Sequence, residues 1–237
     1  PSYRVWLDDW EVTQNEPAEY QLFAQDHGIS LDLKLTDFKG PVLQGKDGYS
    51  QKGPDRGNDT YDFSQTHLVS SGTVRVNGEN YAVTGTSWMD HEYSTSALSP
   101  DQVGWDWFAL QLDDGSELMV FDIRRADGSI DPFSSGSWVA QDGQVTHLFR
   151  EDFTIVTSGS WHSPHSGANY PDHWEIQVPS LVLQVQLSPL LADQEVHLSF
   201  TYWEGAVKIT GQREGQAVGG YGYVELTGYA GSMAGQF

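Results

Sequence analysis

Four turn dipeptides, Asn77-Gly78, Asp114-Gly115, Asp127-Gly128 and Asp142-Gly143, stand between short runs in which apolar and polar residues alternate. Asn-Gly and Asp-Gly reach the positive φ angles of a tight hairpin at little cost, so Asn77-Gly78, Asp114-Gly115 and Asp142-Gly143 each join two antiparallel neighbours, and Asp127-Gly128 closes a turn. The alternation has period two. Ile29, Leu31, Leu33 and Leu35 stand against Ser30, Asp32 and Lys34, which gives a strand one dry and one wet face. Strands are expected at 3–7, 19–24, 28–35, 66–69, 72–76 and from 81 into the stretch ending at 93. They continue at 105–112, 117–124, 136–140, 144–149, 153–158, 173–178, 181–187, 195–202, 206–211 and 221–228. One short helical turn is expected near 189–194. Residues 39–58 carry Gly40, Pro41, Gly45, Gly48, Gly53, Pro54 and Gly57 without any period and read as a long irregular loop.

This pattern predicts an all-β antiparallel meander. About ten strands within 104–237 suit a closed or nearly closed up-and-down barrel, which removes the exposed edges of an open sheet. Residues 1–94 hold about six, too few to close comfortably. They read as the C-terminal part of a first barrel, incomplete in this chain, with 95–103 as the linker. The opening Pro1-Ser2-Tyr3-Arg4 reads as a processed or truncated product.

With 33 acidic residues against 12 basic ones and a formal net charge of −21, the chain lacks the basic stripe of a nucleic-acid footprint, so no nucleic-acid partner is expected. It has no cysteine, which excludes disulfides, thiolate metal sites and a cysteine nucleophile. No run approaches the roughly 18–20 apolar residues of a membrane span. An acidic, lysine-poor, cysteine-free chain points to a periplasmic or secreted setting, and a monomer is expected.

The most informative stretch runs from Thr84 to Leu112. If it forms two strands, Trp88, Asp90 and Glu92 share one side of the first, and Trp105 and Trp107 share one side of the next. His91 points the other way. Carboxylates within an aromatic strand are expensive to bury unpaired, so they need solvent, a partner or a chemical use. Two near-lying carboxyls beside indoles raise each other's pKa, which makes one a candidate general acid. The structural alternative, in which they pair with Arg124 or Arg125 or accept backbone hydrogen bonds, carries equal weight here. Trp138, Trp161, Trp174 and Trp203 add to an indole content that suits a pocket for a long apolar ligand, although tryptophans in a barrel are usually core. Alternation also groups Tyr221, Tyr223 and Glu225 on one face, with Glu204 nearby; these are either interior groups or strand-end surface charges.

Familiar signatures are missing: no Gly-x-Ser-x-Gly elbow, phosphate loop, zinc-protease motif or dinucleotide fingerprint occurs. His162 and His165 form the one close histidine pair, and they read as loop histidines rather than metal ligands. Neither a metal nor an organic cofactor is expected.

Several blocks carry a family resemblance: Thr84 to Tyr93, Gly104 to Leu112 with Asp113 to Met119, His162-Ser163-Pro164 with Tyr170-Pro171 and Trp174, and Tyr202 to Ala206 with Gly222 to Tyr229. Together they resemble the carotenoid 1,2-hydratase (hydroxyneurosporene synthase) family and its secreted lipocalin-like relatives, over essentially the whole chain. The resemblance implies two successive lipocalin-like barrels and cofactor-independent acid/base chemistry on an apolar isoprenoid, polyene or lipid. Hydration of an isolated double bond comes first; a lipid ester hydrolase of the same fold and a non-catalytic lipid carrier remain alternatives. The family's acidic motif falls on Asp90, Glu92 and His91 as catalytic candidates. Substrate contact falls on Trp88, Tyr93, Trp105, Trp107, Trp203 and Tyr223, with Asp90 as proton donor.

Overall fold

The computed structural model of the chain describes residues 3–94 and 98–234. The expected linker therefore lies partly outside the described residues, at 95–97. The chain divides into two compact units, Pro1–Val42 with Ser64–Asp90, and Leu43–Phe63 with His91–Phe237.

In the first unit, β1 (Tyr3–Leu7), β2 (Trp10–Glu16), β3 (Glu19–Asp26) and β4 (Ile29–Asp37) follow one another as antiparallel hairpins. β5 (Val42–Leu43) and β6 (Tyr49–Gln51) are short. β7 (Asp59–Val76) pairs with β4 from Leu68 onward, and β8 (Glu79–Ser94) returns along it after the Asn77-Gly78 turn. The φ values of +50° and +90° at Asn77 and Gly78 are those the tight hairpin demands. The alternation of β4 is realised across the pair: Leu22 stands opposite Leu33 on one face, while Lys34 reaches Glu19 at 2.7 Å on the other. Among the described residues of this unit, only Leu35, Val42 and Leu68 are buried apolar side chains. That is the profile of a curled half-barrel.

Two expected strands, 66–69 and 72–76, are one. Gly72 looks like a break, but at φ +156° it lets β7 pass so close to β4 that a Cβ there would lie 3.0 Å from the Leu33 Cα. β2 was not anticipated; Asp8, at φ +53°, supplies the turn before it.

The second unit holds β9 (Gln102–Leu112), β10 (Glu117–Arg125), β11 (Ser135–Val139), β12 (Val145–Phe149), β13 (Thr154–Ser158), β14 (Trp161–His162) and β15 (Asn169–Tyr170). β16 (His173–Val178), β17 (Leu183–Pro189), β18 (Glu195–His197), β19 (Thr201–Arg213) and β20 (Gln216–Leu226) complete it. The hydrogen-bonded order is β12-β11-β10-β9-β20-β19-β17-β16-β13, with β18 beside β19. This is the expected meander, curled until its first strand meets its last, with the ladder ending at β12 and β13. The fold is all-β and lipocalin-like.

The interior of this sheet is filled. Phe108, Leu110 and Leu112 of β9 meet Leu118 and Val120, Trp138, Leu148, Phe153, Tyr170, Trp174, Ile176, Trp203, Val207, Ile209 and Val224 in one buried cluster. Each fully buried large apolar side chain contributes about 1.5–3 kcal/mol. Trp174 packs against Phe108 at 5.9 Å and Trp203 at 6.2 Å. The indoles of Trp138, Trp174 and Trp203 are therefore core rather than pocket lining.

The helical turn expected near 189–194 is a correction: Pro189 ends β17, 190–192 form bends and 193–194 are irregular. Gln194 explains it, because its amide nitrogen donates to Leu191 and Ala206 carbonyls and its oxygen accepts the Ala206 N–H. The segment is thereby tied to β19. Single 3-10 turns occur at Arg150–Asp152 and Pro179–Leu181. Among the described residues no helix is long and apolar enough to cross a membrane.

The irregular 43–63 segment packs on the outer face of β10 and β11. Ser137 Oγ donates to Gln44 Oε1 at 2.6 Å, and Lys52 Nζ lies 3.8 Å from the Phe121 ring centroid. Phe108→Ala is expected to lower unfolding free energy by about 3–5 kcal/mol, through lost transfer energy plus an unfilled cavity beside Trp174; chemical denaturation checks this.

Candidate functional site

The acidic motif lies on β8, and the division between the two units falls within that strand, after Asp90. Period-two alternation brings Trp88 and Asp90 to one face, where the indole Nε1 donates to both carboxylate oxygens at 3.0 Å. Ser64 Oγ also donates to Asp90. The Asp90 carboxylate is thus exposed on the strand yet held by neutral donors from two sides. Glu92, also exposed, follows two residues later. His91 points oppositely, stacked on Phe63 at 5.2 Å and tilted against Tyr93 at 4.7 Å. Tyr93 is 61% exposed.

In the second unit, Trp105 and Trp107 lie on the outer face of β9, because Asp106 and Phe108 take the inner one. The register sets Glu225 directly opposite Trp107, and Glu204 opposite Glu225 on the next strand. Trp105 Nε1 donates to Glu225 Oε1 at 2.9 Å. Tyr223 stands opposite Ala109 on the same face. The Tyr202 hydroxyl hydrogen-bonds Glu204, and burial together with that contact raises its pKa. Burial and the Glu204 charge likewise raise Tyr223. Two indoles, two phenols and two carboxylates therefore share one half-exposed face. Trp203 does not join them. It lies on the inner face, 2% exposed, with its Nε1 donating to the Ala192 carbonyl at 2.9 Å. The alternation of β19 requires this, since Glu204 occupies the outer face.

Behind the tryptophan strand lies a buried ionic network that sequence reasoning missed. Asp106 and Asp122 face each other across β9 and β10, 6% and 5% exposed. Arg124 Nε donates to Asp106 at 2.9 Å, Tyr229 donates to it at 3.0 Å, and Arg150 Nε stands 3.3 Å from Asp122. The Arg124 guanidinium lies 3.9 Å from the Tyr229 ring centroid and also donates to the Thr227 carbonyl. Thr227 Oγ1 accepts the Trp105 N–H at 2.9 Å. The segment after β20 is thereby pinned to the strand that carries Trp105. Burial pushes the Asp122 carboxyl up to about 6 against the pull of Arg150, with the Asp106 charge adding to the rise. Burial raises Asp106 too, opposed by Arg124 and Tyr229. The signal was present in Val120-Phe121-Asp122-Ile123, an aspartate inside an apolar run.

His162 and His165 do not converge. His162 Nδ1 contacts Asn169 at 3.1 Å, while His165 meets His197 and Asp193. Among the described residues no group of three or more His, Asp or Glu side chains is arranged to hold a metal.

The sequence profile of the AttH-like family matches residues 1–229. A Nitrosomonas europaea protein carrying the AttH name shares 35% identity and a TM-score of 0.86, over 95% of this chain and 69% of that one. Kievitone hydratase from Nectria haematococca shares 19% identity at a TM-score of 0.77, over 96% and 70%. CghA, in its structure with Sch210972, shares 9% at 0.60, over 92% and 68%. At these identities the last two show likeness of fold. A search of curated proteins gives no match.

The Asp122 shift has a definite sign. A carboxyl whose folded pKa stands above its ordinary 3.8 stabilises the fold below about pH 4 and loses that contribution as pH rises through about 6. Asp122→Asn is therefore expected to gain about 2–3 kcal/mol on the wild type between pH 4 and pH 7, with Arg150, 28% exposed, left hydrated. Urea unfolding at both pH values measures the difference.

Proposed function

Because this chain belongs to the AttH-like family, we propose that it is a cofactor-independent acid/base enzyme acting on an apolar isoprenoid or lipid, adding water across an isolated double bond as in the carotenoid hydratases it resembles. The observation that carries this reading is the Asp90 carboxylate, held on an exposed strand by the Trp88 indole and the Ser64 hydroxyl. These donors fix the carboxyl in place, the positioning that proton transfer requires. In its protonated form Asp90 gives its proton to the less substituted alkene carbon, and the π pair forms the new C–H bond. A water lone pair then forms the C–O bond at the resulting tertiary cation, and the oxonium proton passes to the Asp90 carboxylate, directly or by way of Glu92, so that one water is added and the enzyme is restored. Glu92 on the same strand is the second carboxylate of this scheme. Trp88, on the strand that carries Asp90, is the proposed substrate contact, where an indole face favours positive charge; the aromatic face of Trp105, Trp107 and Tyr223 in the second unit has the same chemistry. That kievitone hydratase shares the fold lends support by analogy alone.

The filled interior of the second unit weighs against a carrier that holds lipid inside that barrel. Ester hydrolysis finds no support at the Ser163–Glu195–His197 cluster. There Ser163 Oγ donates to Glu195 at 2.6 Å and His197 stands on the carboxylate at 3.2 Å, so the acid lies between hydroxyl and imidazole. Serine activation needs the base against the hydroxyl.

Incubation with a mixture of acyclic carotenoids, terpenoids and lipid esters, read by mass spectrometry, tests the reaction: a product heavier by one water supports it, and a cleaved ester replaces it with hydrolysis. Asp90→Asn is expected to reduce turnover by about 10²–10⁴-fold while substrate binding persists. Equal loss of both would remove Asp90 from the proton-donor role.

A further inference from the structure

Alternate strands of an antiparallel meander run the same way, so the ends of β10 and β12, Arg125 and Phe149, lie at one end of the curled sheet. The 3-10 turn Arg150–Asp152 leaves that end and leads into β13. β12 and β13 are the two ends of the ladder and do not pair with each other among the described residues, so this turn stands at the seam of the sheet. It is fastened to its own flanks: the Phe149 N–H donates to Asp152 at 2.8 Å, and Arg150 Nη1 donates to the Phe153 carbonyl at 2.9 Å. Its charged contact with the sheet is Arg150 Nε, 3.3 Å from Asp122 Oδ1 and so within ion-pair range. Yet that buried oxygen accepts no hydrogen bond. Around Asp122 also stand Asp106 from β9, Arg124 from its own strand and Tyr229 from the segment after β20. Arg124 and Tyr229 both bond to Asp106, which leaves Arg150 as the cation that answers Asp122.

We propose that Asp122 and Arg150 form a proton-operated latch on this seam: the ionised carboxylate holds the Arg150–Asp152 turn against β10, and uptake of a proton frees it. Two buried carboxyls on facing register positions resist carrying charge together, and Asp106 has the stronger support. Asp122 is therefore the one that titrates. When it ionises, Arg150 Nε has only about half an ångström to close before it makes a charge-assisted hydrogen bond. When it is protonated the attraction is gone, and the partly exposed Arg150 returns to water. Burial sets the working range: it pushes the Asp122 carboxyl up to about 6, so the latch is closed above that pH and open below it. By linkage, the proton favours the open turn by the same factor by which the closed turn disfavours the proton. Overall stability runs the other way, because the charge that draws Arg150 in is also the charge that is unfavourable to bury. The latch lies within the second unit and is independent of the hydration reading.

Amide hydrogen exchange of the whole protein, corrected for intrinsic rates, tests the latch at about pH 5 and about pH 7. In the wild type the backbone amides of 150–153 are expected to be about tenfold better protected at the higher pH, the factor that one pKa unit of coupling produces. The amides of β9 and β20 are expected to stay protected at both. Asp122→Asn has no charge to titrate there; it is expected to leave 150–153 weakly protected at both pH values while the fold as a whole gains stability. Asp127→Asn removes an acid from an exposed turn of the same sheet and is expected to keep the tenfold difference. Equal protection of 150–153 at both pH values in the wild type would overturn the proposal, as would better protection at the lower pH. So would a difference that survives in Asp122→Asn, or one that Asp127→Asn abolishes. If β9 and β20 lose protection together with 150–153, the whole sheet loosens and the latch is likewise overturned.

Discussion

The second unit depends on the alternation of β9 being locked by a neighbour on each side. β10 and β20 both pair with it residue by residue, so Trp105 and Trp107 face out while Asp106, Phe108, Leu110 and Leu112 face in. A slip of one residue would exchange the two sets. It would drive two indoles into an interior already filled by Trp138, Trp174 and Trp203, and expose the phenylalanine against which Trp174 packs. Overfilling and lost burial would act together, so the register of the core and the orientation of the outer tryptophans are one constraint.

The two faces of this sheet also handle negative charge differently. Inside, Asp106 and Asp122 are kept by Arg124, Arg150 and Tyr229, an arrangement in which burial costs are offset by pairing. Outside, the Trp105 indole donates to Glu225 and the Tyr202 hydroxyl hydrogen-bonds Glu204. The same short length of β9 serves both, since Asp106 is flanked in sequence by the two tryptophans. Arg124 joins the faces mechanically: it grips Asp106 and the Thr227 carbonyl, and Thr227 accepts the Trp105 backbone N–H.

Much of the fold was legible because its signals are local. The Asn77-Gly78, Asp114-Gly115 and Asp142-Gly143 hairpins and the alternation of β4 and β9 require only neighbours in sequence. The misreadings came where tertiary contacts decided. Gly72 passes through a strand because β4 approaches it closely, and Gln194 bends 189–194 onto β19. In the site, the shared faces of Trp88 with Asp90 and of Tyr223 with Glu225 follow from period two alone. Trp203 shows the limit of composition: its neighbours Tyr202 and Glu204 lie on one face and it lies on the other, so proximity in sequence grouped residues that the sheet separates. The Asp106–Asp122 pair depends on which strands become adjacent and in what register, which no single stretch reveals.

The closure of the second sheet sets the order of events in its formation. Trp105 and Glu225, bonded in the finished ladder, are 120 residues apart, so β9 cannot acquire its second neighbour until nearly the whole chain has left the ribosome. Until then one edge of β9 lacks its partner, and its strand hydrogen-bonding groups remain open to other chains. A topology of such high contact order folds slowly, and the large negative charge, −21 in all, gives the waiting polypeptide a mutual repulsion that keeps nascent copies apart.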